Sequence, residues 1–453
     1  MGAVTAELPA EGQSDAQVIA QLRAWASAEN GWRAGKVSGT VYCGDDSLAR
    51  LAAEATRLYA LANPLHPDVF PSLRKMEAEV VAMALRLFHA PPAGCGTMSS
   101  GGTESILLAC KAARDAARLA RGVLAPEMVL PSTAHAAFLK AGHYLGIKVV
   151  RVPVNPGTFR ADVEAMGWAV CANTVLLVGS APSFAQGVLD PLEALADLAQ
   201  RRGVPLHVDC CLGSLLLPLM DKLGYEVPPF DFRLPGVCSI SVDLHTYGFA
   251  PKGSAVILYA SEEASRHHQY FVAADWAGGI YATPTLCGSR PGAVVAATWA
   301  VMLRMGEAGY LGAFERILQA TRTVEEGVRA IDELAIYGAV DTSVVCFGAR
   351  PRGGGKAISI LQLGDAMVAR GWSLNTLQNP PCLHLCVCMP HTAAGVAEGF
   401  ILDLRAAVEE VLAAKGRGDE GAASAVYGLA ELVRENSVIE EVACTFIDAL
   451  YKV

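Results

Sequence analysis

Three polar clusters lie where a strand could hand chemistry to a pocket. Asp209 closes the apolar run Pro205-Leu206-His207-Val208, and Asp243 and His245 follow Ser239-Ile240-Ser241-Val242. The third, Ser99-Ser100-Gly101-Gly102-Thr103-Glu104-Ser105, leads into a helical pattern. Glycines and hydroxyls ahead of a helix can present backbone N–H groups to a phosphate. Each cluster also has a plainer reading. A Gly-Gly-Thr before a helix is commonly a capped turn, an Asp at a strand end an N-cap, and a His there a satisfied core residue. Taken together they supply most of what pyridoxal 5′-phosphate requires. Gly101, Gly102 and Thr103 could form part of an anion cradle, and Asp209 a carboxylate that keeps the ring nitrogen protonated. His135, in Ser132-Thr133-Ala134-His135-Ala136-Ala137-Phe138, offers a stacking ring. The fourth requirement is a lysine for a Schiff base, and no lysine stands among these residues.

The elements that would position these groups alternate along the chain. Lys148 to Val154, Thr174 to Val178 and Pro205 to Val208 are short apolar runs bounded by Gly, Pro or Ser. Helical patterns over Glu104 to Arg121 and Pro191 to Arg202 separate them. Such alternation predicts an α/β fold with a large, mostly parallel sheet covered on both faces, and ligands then sit at the carboxyl ends of its strands. Ser239 to Val242 and Ala255 to Tyr259 read as a closely spaced strand pair. Residues 1–55 read as an N-terminal arm, with a helix over Ala16 to Glu29, and 56–309 as the large cofactor-binding domain. Residues 310–453 read as a smaller C-terminal α+β domain, reached through a helical stretch from Ala293 to Glu333, with strands near Thr342 to Phe347 and Cys382 to Cys388.

Composition narrows the class. The chain has 453 residues, enough at about 150 per domain for two or three units. With 52% hydrophobic and 18% charged residues it is neither a disordered regulator nor fibrous. Its net charge of −9 invites neither nucleic acid nor an anionic membrane surface. Thirteen cysteines, an odd number placed mostly in apolar runs, suit a reducing cytoplasm. The start, Met1 to Ala6, has no signal-peptide pattern, and no run reaches the ~18 apolar residues of a membrane span. Cys382, His384, Cys386 and Cys388 alternate as a thiol-rich core strand would. Same-face neighbours roughly 6.5–7 Å apart are too distant for three to share one metal ion, so no metal site is expected.

Longer motifs carry a resemblance. They are Val37-Ser38-Gly39-Thr40-Val41-Tyr42, Asn63-Pro64-Leu65-His66-Pro67-Asp68, the Ser-Gly-Gly-Thr-Glu-Ser stretch and Leu206-His207-Val208-Asp209. Tyr247 to Ser254, Gly278-Gly279-Ile280-Tyr281 and Gly288-Ser289-Arg290-Pro291-Gly292 complete the set. With these motifs the chain resembles, almost end to end, the sphingosine-1-phosphate lyases, relatives of the group II amino-acid decarboxylases within fold type I of the pyridoxal-phosphate enzymes. The resemblance implies Asp209 as ring-nitrogen partner and His135 as stacking ring. It places Gly102, Thr103 and His245 at the cofactor phosphate, with Gly288 and Ser289 reaching in from a second subunit of a homodimer. Tyr42, Asn63, His66, Lys252 and Arg290 then surround the substrate's phosphate and reacting hydroxyl.

One position departs. The family reads Asp-x-His-Lys-Tyr-Gly, and its lysine carries the cofactor; this chain reads Asp243-Leu244-His245-Thr246-Tyr247-Gly248. A hydroxyl cannot form an imine, and Lys252 is the nearest lysine, six residues on. The expected activity is retro-aldol cleavage of a phosphorylated long-chain base to phosphoethanolamine and a long-chain aldehyde, impaired by Thr246. Amino-acid decarboxylation and a non-catalytic binder of cofactor and phosphoamine stand as alternatives.

Overall fold

Apolar runs of four to seven residues, bounded by turn formers, build the central sheet. The computed structural model describes residues 7–262, 267–351, 357–413 and 436–451. Met1 to Ala6, on which the expectation about a signal peptide rests, lie outside them. Three helices come first, α1 (Asp15–Ala28), α2 (Asp46–Tyr59) and α3 (Pro71–Leu87). Then strands and helices alternate: β1 (Cys95–Ser99), α4 (Gly102–Arg121), β2 (Glu127–Pro131), α5 (Ala137–Leu145), β3 (Lys148–Val152) and α6 (Val163–Ala169). The alternation continues through β4 (Thr174–Ser180), α7 (Leu192–Arg202), β5 (Leu206–Asp209), β6 (Val237–Asp243) and β7 (Ala255–Tyr259).

These seven strands form one sheet in the order β1-β7-β6-β5-β4-β2-β3. Neighbours from β3 across to β6 are parallel, and only β7 runs against its neighbours. All seven residues of β4 are buried, as expected of a strand covered on both faces. Between β5 and β6 the register shifts by one. Leu206 pairs with Val237 but His207 with Ser239, so Cys238 is passed over and Asp209 faces Ser241. The mostly parallel sheet and its strand pair β6–β7 follow the expectation, and the chain has an α/β fold.

A second region follows the short α8 (His267–Gln269), β8 (Phe271–Ala273) and β9 (Tyr281–Thr283). It contains α9 (Gly292–Arg329), β10 (Leu334–Ile336), β11 (Val344–Ala349), α10 (Ile360–Ala369), β12 (Asn375–Leu377), β13 (Cys382–Cys386), α11 (Val396–Ala413) and α12 (Asn436–Tyr451). Four of its strands make an antiparallel sheet, β10-β11-β13-β12. The expected boundary at 309/310 falls inside α9, just past its kink at Gly306. This helix packs on α2 and α3 as well as on β10, β11 and α11, so it joins the N-terminal helices to the small sheet. We propose that the smaller domain begins along it.

Burial also predicts how the fold responds to acid. His207, His384 and His391 are buried, and desolvation pushes each pKa down to about 4. Their native forms bind fewer protons than the unfolded chain between about pH 4 and 6.5, so their stability contribution is lost as pH falls through that window. Asp190 works the other way, because burial raises its pKa to about 6 and it takes up a proton in the folded state. At pH 5, about 2 kcal/mol lost per histidine against about 1 kcal/mol gained at Asp190 leaves a net loss of roughly 4–5 kcal/mol relative to pH 7.5. Thermal melts should show a marked drop in Tm between those pH values; a flat profile would contradict the burial argument.

Candidate active site

Asp209 is the last residue of β5 and is 7% exposed. Its Oδ1 accepts from Ser241 Oγ at 3.0 Å and from the Cys211 N–H at 3.1 Å. The carboxylate is therefore held at the carboxyl edge of the sheet by the neighbouring strand and by the turn that follows it.

The α4 N-terminus closes in from β1. Gly101, at φ 152°, adopts a conformation that favours glycine, and its backbone swings the chain into the helix. A Cβ on Gly102 would stand 2.6 Å from Cys211 Sγ and 2.8 Å from Asp243 Oδ1, so glycine is required for this close approach. Asp243 Oδ2 meets His245 Nε2 at 3.2 Å, while its Oδ1 is buried without a partner among the described residues. His245 Nδ1 accepts from the Ser254 N–H at 3.3 Å, which fixes the ring beside Gly101. Thr246 is buried. Its hydroxyl donates to the backbone oxygens of Asp243 (2.9 Å) and Cys211 (3.1 Å), so it is committed to the main chain.

Lys252 lies beside this group, its Nζ 3.5 Å from His245 O and 5.0 Å from the centre of the Tyr42 ring. Tyr42 in turn packs edge-on against Tyr247 at 4.9 Å. Tyr247 is fully buried, and its hydroxyl donates to Val387 O at 2.8 Å. The N-terminal arm, the loop after β6 and the end of β13 thus meet at one place. Burial pushes the Tyr42 and Tyr247 phenols well above their usual pKa, which keeps both neutral.

His135 stands exposed in the turn after β2, its Nδ1 accepting from the Ala137 N–H at 3.1 Å. It faces Phe184 edge-on at 6.3 Å across a cavity of about 740 Å³ that Arg151 and Gln378 also line. Asn63 donates to Ser289 Oγ at 3.0 Å and accepts from the Arg290 N–H at 3.2 Å. Arg290 makes a two-pronged pair with Glu77, at 2.8 and 2.9 Å, so its charge is already matched. The Leu286 N–H on Glu104 Oε1 ties this segment to the α4 N-terminus. Thr103 is exposed on the first turn of α4, and His66 is exposed in the turn that begins at Asn63. Gly288 packs against Tyr281, whose hydroxyl would lie 2.6 Å from a Cβ added there.

Contacts thus link Asp209, Gly101, Gly102, His245, Thr246, Lys252 and Tyr42 directly or through Cys211 and Asp243. Sequence reasoning gave no site role to Cys211, Ser241 or His207. The period-two spacing of His207 with Asp209, and of Ser239 with Ser241, was the signal that could have found two of them. On the small sheet, His384 Nδ1 bonds Ala185 O at 2.9 Å and its Nε2 the Asn375 amide at 2.7 Å. Cys346 and Cys382 lie 3.6 Å apart, sulfur to sulfur. No group of three or more potential metal ligands occurs among the described residues, and no helix there is long and apolar enough to cross a membrane.

The donor set suits pyridoxal phosphate in all but its covalent anchor. The glycine-lined helix start, where a Cβ on Gly102 would fill the space beside Cys211 and Asp243, can take the phosphate, and Asp209 the ring nitrogen. The profile of the pyridoxal-dependent decarboxylase conserved domain matches residues 38–350. A glutamate decarboxylase from Lactobacillus brevis shares the fold at a TM-score of 0.77 and 19% identity, covering 91% of this chain and 96% of its own. Fold and site together define a pyridoxal-phosphate-dependent enzyme of the decarboxylase type. Mouse sphingosine-1-phosphate lyase 1 is 44% identical over 445 residues, which are 98% of this chain and 77% of the mouse protein. The solved sphingosine-1-phosphate lyase of Burkholderia pseudomallei superposes at a TM-score of 0.86 with 42% identity, covering 90% of this chain and 93% of that one. Within that class, the chain belongs to the sphingosine-1-phosphate lyase family.

Proposed function

We propose that the substrate is a phosphorylated long-chain 2-amino-3-hydroxy base, cleaved to phosphoethanolamine and a long-chain aldehyde, and that Thr246 makes turnover slow. The observation that carries the reading is the meeting of Lys252, Tyr42 and His245 beside the α4 N-terminus, a cationic and hydrogen-bonding corner next to the cofactor cradle. Family membership supplies the substrate class. Pyridoxal phosphate, when bound, supplies a conjugated electron sink for the carbon that bears the amine.

The chain's own groups do the rest. Asp209 holds a proton on the ring nitrogen by a charge-assisted hydrogen bond. His135 covers the ring, while Gly101, Gly102, Thr103 and His245 receive the cofactor phosphate. Lys252, with Tyr42 and His66, receives the substrate phosphate. Arg290, tied to Glu77, holds the segment that carries Gly288 and Ser289. In the cleavage the Cα–Cβ bond breaks, the β-hydroxyl gives up its proton and becomes the aldehyde oxygen, and Cα gains a proton. Exposed Phe271, Val272, Trp276, Ile280 and Leu286 flank Gly288 and support a homodimer with shared sites; a cofactor-binding monomer by light scattering would refute it.

Thr246's commitment to two backbone carbonyls favours one second reading, a binder that holds cofactor and phosphoamine without turnover. Product analysis with the phosphorylated base decides among the readings. Aldehyde release supports the lyase, carbon dioxide release from an amino acid supports a decarboxylase, and neither, with tight binding, supports the binder. Lys252→Ala should weaken a phosphorylated amine by roughly 1.5–3 kcal/mol more than its dephosphorylated form. Equal losses in calorimetry would remove Lys252 from the phosphate site.

A further inference from the structure

Behind Asp209 runs a buried hydrogen-bond chain that nothing in the proposed chemistry uses. His207, two residues earlier on the same face of β5, is fully buried. Its Nδ1 lies 2.8 Å from Ser239 Oγ and its Nε2 3.2 Å from Ser241 Oγ, and Ser241 Oγ reaches Asp209 Oδ1 at 3.0 Å. Phe138 packs edge-on against the imidazole at 5.8 Å.

Proton counting gives this chain one direction. A carboxylate only accepts, so the single hydroxyl proton of Ser241 goes to Asp209. Ser241 can then only accept from His207, whose Nε2 must carry the proton. Burial holds the imidazole neutral, with a pKa of about 4, so Nδ1 is bare and accepts the Ser239 hydroxyl proton. Every bond points toward the carboxylate, and bonds aligned this way polarise one another. The Cys211 N–H lands on the same oxygen at 3.1 Å. Asp209 is therefore pinned by Oδ1 and presents Oδ2.

We propose that His207 is a positioning residue for the cofactor ring. Acting through Ser241, it fixes the donor that pins Asp209 and so aims Oδ2 at the ring nitrogen. The proposal rests on the reading of Asp209 as ring-nitrogen partner. A purely structural role would require only that the polar atoms be satisfied; this role requires a donor at the Nε2 position. Glutamine places its amide nitrogen near that position, whereas asparagine reaches only as far as Nδ1.

The test uses the unmodified full chain and 4′-deoxypyridoxine 5′-phosphate, which has the ring nitrogen and phosphate but no aldehyde, so the missing lysine plays no part. In the ligand-free chain labelled with ¹⁵N-histidine, NMR should show His207 with Nε2 protonated and Nδ1 bare. The reverse tautomer would overturn the proposal without any variant having to fold. With the probe bound, a titration followed by absorbance reads the proton affinity of the ring nitrogen. His207→Asn and Ser241→Ala should each lower it roughly tenfold, while His207→Gln and Ser241→Thr retain it. Asp209→Ala separates the two levels. If it lowers the affinity and His207→Asn and Ser241→Ala do not, His207 loses its role and Asp209 keeps its own. If Asp209→Ala changes nothing, the ring-nitrogen reading falls and the proposal with it.

Discussion

Replacing Thr246 by lysine is expected to turn pyridoxal phosphate from a ligand that dialyses away into one that borohydride fixes to the protein. In the chain as it stands, the Thr246 hydroxyl donates to the backbone oxygens of Asp243 and Cys211 and offers no nucleophile to an aldehyde. On the proposed reading the cofactor would be held only by its phosphate, by Asp209 and by His135, and borohydride would find no protein bond to reduce. In Thr246→Lys the introduced ε-amine condenses with the cofactor aldehyde and releases water. The same amine can also shuttle a proton near the reacting carbon. A positioned proton shuttle typically contributes ~10²–10⁴ in rate, and aldehyde production should rise by that order. Peptide mapping after borohydride decides the matter. A stable adduct on Lys252 in the unmodified chain would make that lysine a surrogate anchor and sink the assignment.

Asp209→Ala, made in the Thr246→Lys background, should have the next largest effect. On the proposed reading its carboxylate keeps a proton on the ring nitrogen, and a charge-assisted hydrogen bond contributes roughly 1.5–3 kcal/mol. Aldehyde release should slow by at least about tenfold, with cofactor binding weakened in step. Removing a carboxylate that is itself buried leaves the Ser241 hydroxyl and the Cys211 N–H without their acceptor, so some loss of Tm is also expected. Cleavage as fast as in the parent would show that Asp209 does not serve the electron sink.

Much of this was legible because the information was local. Apolar runs punctuated by Gly and Pro gave β3 to β7 within a residue or two at most ends, and the strand-end rule placed Asp209 and the Asp243–His245 pair. The family resemblance added Tyr42 and Lys252 to the expected site. What was hidden depends on which surfaces meet. That Arg290 is matched by Glu77 follows from the packing of α3 against the segment after β9, 213 positions away in sequence. Tyr247 looked like a motif residue beside the missing lysine, yet its hydroxyl reaches Val387, just past the end of β13. The long helix α9 crosses the expected domain boundary because both halves have apolar partners, which composition does not reveal.

The skipped Cys238 has a consequence for inheritance. Had β6 kept step with β5 from Leu206 and Val237 onward, Cys238 would face His207 and Ile240 would face Asp209. Because side chains alternate faces along a strand, Ser239 and Ser241 would then point away from the carboxylate. Passing over one residue with no chemistry of its own thus keeps the two serines on the carboxylate's side of the strand. A lineage could exchange Cys238 for many other side chains, or lose its codon and still keep Ser239 opposite His207 and Ser241 opposite Asp209; what would rewire the site is a slip that seats Cys238 in the ladder.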